Sequence, residues 1–211
     1  MGMPFNRAVL LICAAWSLSL TAGCQVQSVP TKRLIQHQAI IDLAGLEDTQ
    51  VVDVIKAHVA APQKWEALKP KKTALFVDQQ WRSPSKETGL GVAYLRMPIP
   101  LPASALVWLA KKEYAKRGED GEVLAEWTDQ LGRPCFEAQN ANYHVRGCVV
   151  TKGFEAWIVY CGYKRNPERS PSAAELGVAA RAMETVVPTP IATDVPQRPI
   201  VSAPSASPDQ F

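Results

Sequence analysis

Between residues 50 and 163 the chain runs in short apolar stretches, rich in β-branched and aromatic residues, cut by proline, glycine and asparagine. Such runs read as strands bounded by turns. Gln50–Val59 and Thr73–Trp81 are each closed by a proline within three residues, Pro62 and Pro84, and Gly89–Met97 stops at the cluster Pro98, Pro100 and Pro102. Ala103–Arg117 breaks the pattern. Leu106, Leu109, Ala110 and Tyr114 recur there at helical spacing, and Lys111, Lys112, Lys116 and Arg117 crowd the last turns, where positive charge suits the negative end of the helix dipole. Gly118 and Gly121 end this helix. Glu122–Thr128, Arg133–Gln139, Tyr143–Val150 and Phe154–Tyr163 follow at short intervals, with turn residues at 129–132, 140–142 and 152–153. They predict an antiparallel meander. Ser172-Ala173-Ala174-Glu175 has capping-box spacing ahead of Leu176, Ala179, Ala180 and Met183, which predicts a final helix covering the sheet. The expected class is α+β.

The flanks follow other rules. Residues 1–23 place a single charge, Arg7, before an uncharged run from Ala8 to Leu20, followed by small residues, the order of a secretory signal. The run is shorter than the ~20 residues a bilayer-spanning helix needs. It ends in Leu20-Thr21-Ala22-Gly23-Cys24, which resembles the lipobox of bacterial lipoproteins, with Thr21 where that family usually has Leu. The resemblance implies cleavage before Cys24, acylation of that cysteine, and attachment to a bilayer. Gln25 in the next position implies the periplasmic face of the outer membrane. Several acyl chains give durable attachment, at about 0.8 kcal/mol per buried methylene. Residues 24–48 read as a tether that docks through the apolar patch Ile40–Leu46. Residues 187–211 carry Pro188, Pro190, Pro196, Pro199, Pro204 and Pro208 with few charges, and read as a disordered proline-rich tail. A single domain, residues 49–186, remains between them.

Composition changes this picture little. With 211 residues, 47% apolar, 20% charged and a formal charge of +3, the chain is neither collagen-like nor wholly disordered. The charge is too small for a nucleic-acid partner, and none is expected.

An N-terminal strand leads into the proline-tryptophan segment Ala61-Pro62-Gln63-Lys64-Trp65, then two strands, a helix, a meander and a final helix. This order resembles the PsbP-like fold, an α/β/α sandwich around an antiparallel sheet found among photosystem extrinsic subunits and bacterial envelope lipoproteins. The resemblance implies a domain that binds larger assemblies, in a family whose members are mostly not enzymes.

The cysteines are the chemical feature of the domain. Cys135, Cys148 and Cys161 recur with twelve residues between neighbours, on three successive predicted strands. A turn near Asn140–Asn142 puts Cys135 opposite Cys148 and Glu137 opposite Arg146, a pairing of opposite charges that supports the register. The next hairpin brings Cys148 close to Cys161. An oxidising compartment then favours one disulfide, Cys135–Cys148 or Cys148–Cys161, with a spare buried thiol; three buried reduced thiols and a metal or redox site are the alternatives. His144 shares a face with Cys148, but four strand residues at ~3.3 Å each keep it too far away to activate a thiolate. Asp78, beside Gln79 and Gln80, is a candidate polar pocket group. Lys69, Lys71 and Lys72 form a basic loop, and of Trp65, Trp81, Trp108, Trp127 and Trp157 one or two are expected at the surface. No pattern calls for a cofactor, a metal or a catalytic residue. The function expected is a membrane-anchored envelope lipoprotein that binds or scaffolds another envelope protein. The alternatives are a thiol-dependent redox enzyme and a small-ligand-binding envelope protein.

Overall fold

The computed structural model describes residues 42–115, 121–166 and 170–189. The signal, Cys24, the tether as far as residue 41 and the tail beyond Thr189 lie outside the described residues. Among the described residues eleven strands occur in chain order: β1 (Gln50–Val52), β2 (Ala57–Val59), β3 (Glu66–Ala67), β4 (Lys71–Lys72), β5 (Phe76–Arg82), β6 (Thr88–Arg96), β7 (Glu122–Thr128), β8 (Pro134–Gln139), β9 (Tyr143–Lys152), β10 (Glu155–Lys164) and β11 (Val187–Pro188). Helix α1 (Ala103–Ala115) follows β6, and α2 (Ala173–Thr185) follows β10. The architecture is an antiparallel sheet with two helices, an α+β fold.

The large sheet runs β3-β5-β6-β10-β9-β8-β7, with β4 also paired to β5, and β1, β2 and β11 form a separate small sheet. Strand alternation sorts the side chains into two cores. Leu90, Val92, Trp157, Val159 and Cys161 point to one face, where they meet Ala179, Ala182 and Met183 of α2 together with the small sheet. Ala93, Leu95, Ala156, Ile158 and Tyr160 point to the other, which also holds Leu106, Val107 and Leu109 of α1. One helix therefore covers each face. β10 is paired on both sides and buried along most of its length, which explains its unbroken apolar composition.

Ser172 caps α2, its hydroxyl accepting the Glu175 N–H at 3.4 Å. The Glu175 carboxylate does not turn back to the cap. It takes the Ser85 hydroxyl at 2.6 Å and so ties the β5–β6 turn to the start of the helix.

Three expectations are corrected. Gln50–Val59 is not one strand: a helical turn at Asp53–Ile55 and a left-handed Lys56 (φ 49°) fold it into the β1–β2 hairpin. The turn buries Ile55 completely and offers its carbonyl to the Trp157 indole N–H at 2.8 Å, a long-range contact that local pattern does not encode. Lys71 and Lys72 are not a loop but the short strand β4, with Lys71 opposite Asp78. The proline-rich segment also stays in the fold a little longer than expected, because Val187–Pro188 pairs with β2 as an edge strand, where proline's missing donor is tolerated. At the other end, Leu46 of the apolar patch is buried and bridges to Pro62.

Candidate functional site

The long strands bring the polar run Asp78-Gln79-Gln80 of β5 into the interior. Alternation turns Asp78 and Gln80 to the α1 side of the sheet and Gln79 to the other. Asp78 is 1% exposed, Gln80 8% and Tyr160 2%. The Tyr160 hydroxyl donates to Asp78 Oδ1 at 2.8 Å, and Gln80 Nε2 donates to Asp78 Oδ2 at 2.6 Å and to the Tyr160 oxygen at 2.8 Å. Burial pushes the Asp78 carboxyl above its ordinary value, against the opposing pull of the Tyr160 and Gln80 hydrogen bonds and of Lys71. Burial and the neighbouring Asp78 also push the Tyr160 phenol well up. A closed polar network costs stability relative to an apolar core of the same shape, so its presence in a sheet interior marks a candidate site.

Register explains how Tyr160 reaches across. Gly91 and Gly147 stand opposite it on β6 and β9, and the phenol ring lies over Gly91 so closely that a Cβ there would meet Tyr160 Cζ at 2.2 Å. One row further along the same face stand Arg82, Gly89 and Gly162. Here the sheet is bare, for a Cβ on Gly89 would meet only the Trp81 carbonyl oxygen, at 3.6 Å. A cleft of about 190 Å³ opens over this floor, bounded by Gln80 and Tyr160 on one side and by Tyr143 and Lys164 at the sheet end. Leu68, Arg82, Lys86 and Glu87 complete its rim.

The cysteines occupy the opposite face. Cys135 pairs with Cys148 and Glu137 with Arg146, and the two sulfurs form a disulfide across the β8–β9 hairpin, with Cα atoms 4.1 Å apart. Cys161 stands opposite Arg146, and Val159 takes the place opposite Cys148, so the third thiol is displaced by two residues along β10. It is buried and free, and burial pushes its pKa up to about 11. That is the reverse of the exposed, low-pKa thiolate that thiol chemistry uses.

Asp129 lies with Cys135 and Cys148, their ligand atoms all within 4.8 Å of one another. The sulfurs are spent on each other, however, and Asp129 accepts the backbone N–H groups of Leu131 and Arg133 and the Arg133 Nε–H at 2.7 Å. The trio therefore locks a turn beside the disulfide. His144 Nε2 lies 2.7 Å from Glu137 Oε1, and its ring stacks on Tyr163. Burial pushes Glu137 up, but hydrogen bonds from Arg146 and His144 outweigh it and hold the carboxyl low.

Trp81 and Trp157 are core residues, Trp65 and Trp127 are half-buried, and Trp108 is 47% exposed on α1. Beyond α1 runs β7, the edge of the sheet. It has one strand partner among the described residues, β8, and it exposes Val123 and Leu124. Lys111 of α1 bonds Glu126 of β7 and fastens helix to edge.

Asp78 was visible in the sequence as a polar group on an apolar strand. Tyr160, Arg82, Lys86, Tyr143 and Lys164 were not, because only the register of four strands, β5, β6, β10 and β9, assembles them. No known family model matches the chain, and no curated protein matches it either. No helix among the described residues is long and apolar enough to cross a membrane.

Proposed function

We propose that this chain is a lipid-anchored binding protein of the bacterial envelope, tethered by acylated Cys24 and presenting a PsbP-like domain to another envelope protein. The order of strands and helices supports the domain reading, and the Leu20–Cys24 sequence supports the anchor. The observation that carries the binding role is the state of the edge strand. β7 offers seven residues of backbone, most of them exposed, while Trp108, Val123 and Leu124 supply apolar surface beside it. An extended segment of a partner adds to such an edge through main-chain hydrogen bonds, with side-chain pockets giving selectivity. The reactive side chains of the domain, in contrast, are paired or shut away, Cys135 with Cys148, His144 with Glu137, and Cys161 in the core. A second reading, small-ligand binding, is favoured by the cleft over Gly89.

The test uses the full chain in native membranes. The intact mass is measured with and without reduction, and a photo-crosslinking residue is placed at Leu124 or, as a control, at exposed Leu43. The reading expects a chain that begins at an acylated Cys24, two thiols released by reduction, and one discrete crosslinked protein from position 124 alone. An unlipidated mass, or equal crosslinking from both positions, overturns it.

A further inference from the structure

The cleft over Gly89 is too small for the drug-sized molecules that fill sites of about 300–1,000 Å³. Its walls are of two kinds. The apolar lining comes from the bare backbone of Gly89, the Leu68 side chain and the Tyr160 ring; the charged lining comes from Arg82, Lys86 and Lys164, with Glu87 opposing them. Arg82 gives one bond to the Glu66 carboxylate, Nη2 to Oε2 at 2.6 Å. Its Nε is closed off from solvent, so the guanidinium meets a ligand through its Nη groups. Asp78 does not line the cleft, and both its oxygens are engaged by Tyr160 and Gln80.

We propose that this cleft binds a small organic anion, a carboxylate or phosphate ester with a compact apolar body. The anionic oxygens face the accessible edge of the Arg82 guanidinium and the Lys86 and Lys164 ammonium groups, and the apolar body lies on the Gly89 floor against Leu68 and Tyr160. Carboxylate and phosphate share this chemistry, because a guanidinium edge with nearby lysines serves either head group. The cleft stands on β5, β6 and β10, whereas the partner edge is β7 at the far side of the sheet, so each site can fail without the other.

The full chain in detergent is titrated calorimetrically with four probes: benzoate, phenyl phosphate, inorganic phosphate and benzyl alcohol. Benzoate or phenyl phosphate is expected to bind, and which of them binds identifies the head group. Inorganic phosphate lacks the body and benzyl alcohol lacks the charge, and each should be weaker by about tenfold or more, a difference of roughly 1.4 kcal/mol. Gly89→Val fills the floor and should abolish binding. Lys164→Glu, on an exposed side chain, reverses one charge of the lining, and should weaken binding and flatten its salt dependence without disturbing the fold. Benzyl alcohol binding as tightly as benzoate overturns the anionic class. Unchanged binding by both variants, or no heat from any probe at millimolar concentration, overturns the site.

Discussion

Asp78 sits where an ionised carboxylate is expensive, and its two hydrogen-bond donors do not fully offset the burial. Its folded pKa therefore stands above the ordinary value near 3.8. A folded state that holds a proton more tightly than the unfolded state has its full share of stability below the ordinary value, and loses that share as pH rises from there through the raised value. Urea unfolding of the parent and of Asp78→Asn across this window should show the difference between them moving in the variant's favour as pH rises, then levelling. A difference independent of pH would mean that Asp78 titrates as an ordinary surface carboxyl. Cys161 shows the same physics on the other face, where burial silences the spare thiol that the disulfide leaves over.

At the level of strands, two aromatic rings lean over glycines on their neighbours, Tyr160 over Gly91 and Phe136 over Gly147. Gly91→Ala would drive the Tyr160 ring off its seat and away from Asp78, and should lower the unfolding free energy by about 1–3 kcal/mol, as overpacking of a fitted core does. Gly89→Ala, one row away with only the Trp81 carbonyl nearby, should change it by less than about 1 kcal/mol. Equal losses in the two variants, read from urea midpoints, would refute the distinction between a filled and an open row. Much of the strand pattern was legible beforehand. The charges of Glu137 and Arg146 disclosed the β8–β9 register, and the Ser172–Glu175 spacing disclosed the start of α2, because both are local signals. The β1–β2 hairpin was hidden because it depends on Trp157, about a hundred residues away, reaching the Ile55 carbonyl. The cleft was hidden for the same reason, since no single strand contains it.

Across the whole molecule, stability is graded from the middle of the sheet outward. β10 lies between β6 and β9 with a packed core on both faces, whereas β7 is exposed along nearly its whole length and carries a register shift between Val123 and Ala125. Amide hydrogen exchange should thus be slowest in β10 and the facing parts of β6 and β9, approaching the global unfolding limit, and faster by orders of magnitude in β7. Uniform protection across the sheet would contradict this gradient. The disulfide has a consequence in time as well as in space. Cys135 and Cys148 are neighbours in the order of synthesis as well as across the hairpin, and Cys161 comes later in the chain. On the export route proposed above, with Cys13 removed in the signal and Cys24 acylated, a chain threaded N-terminus first presents the native pair before the Cys161 thiol arrives, so a simple oxidant can seal the hairpin correctly with no later reshuffling of bonds.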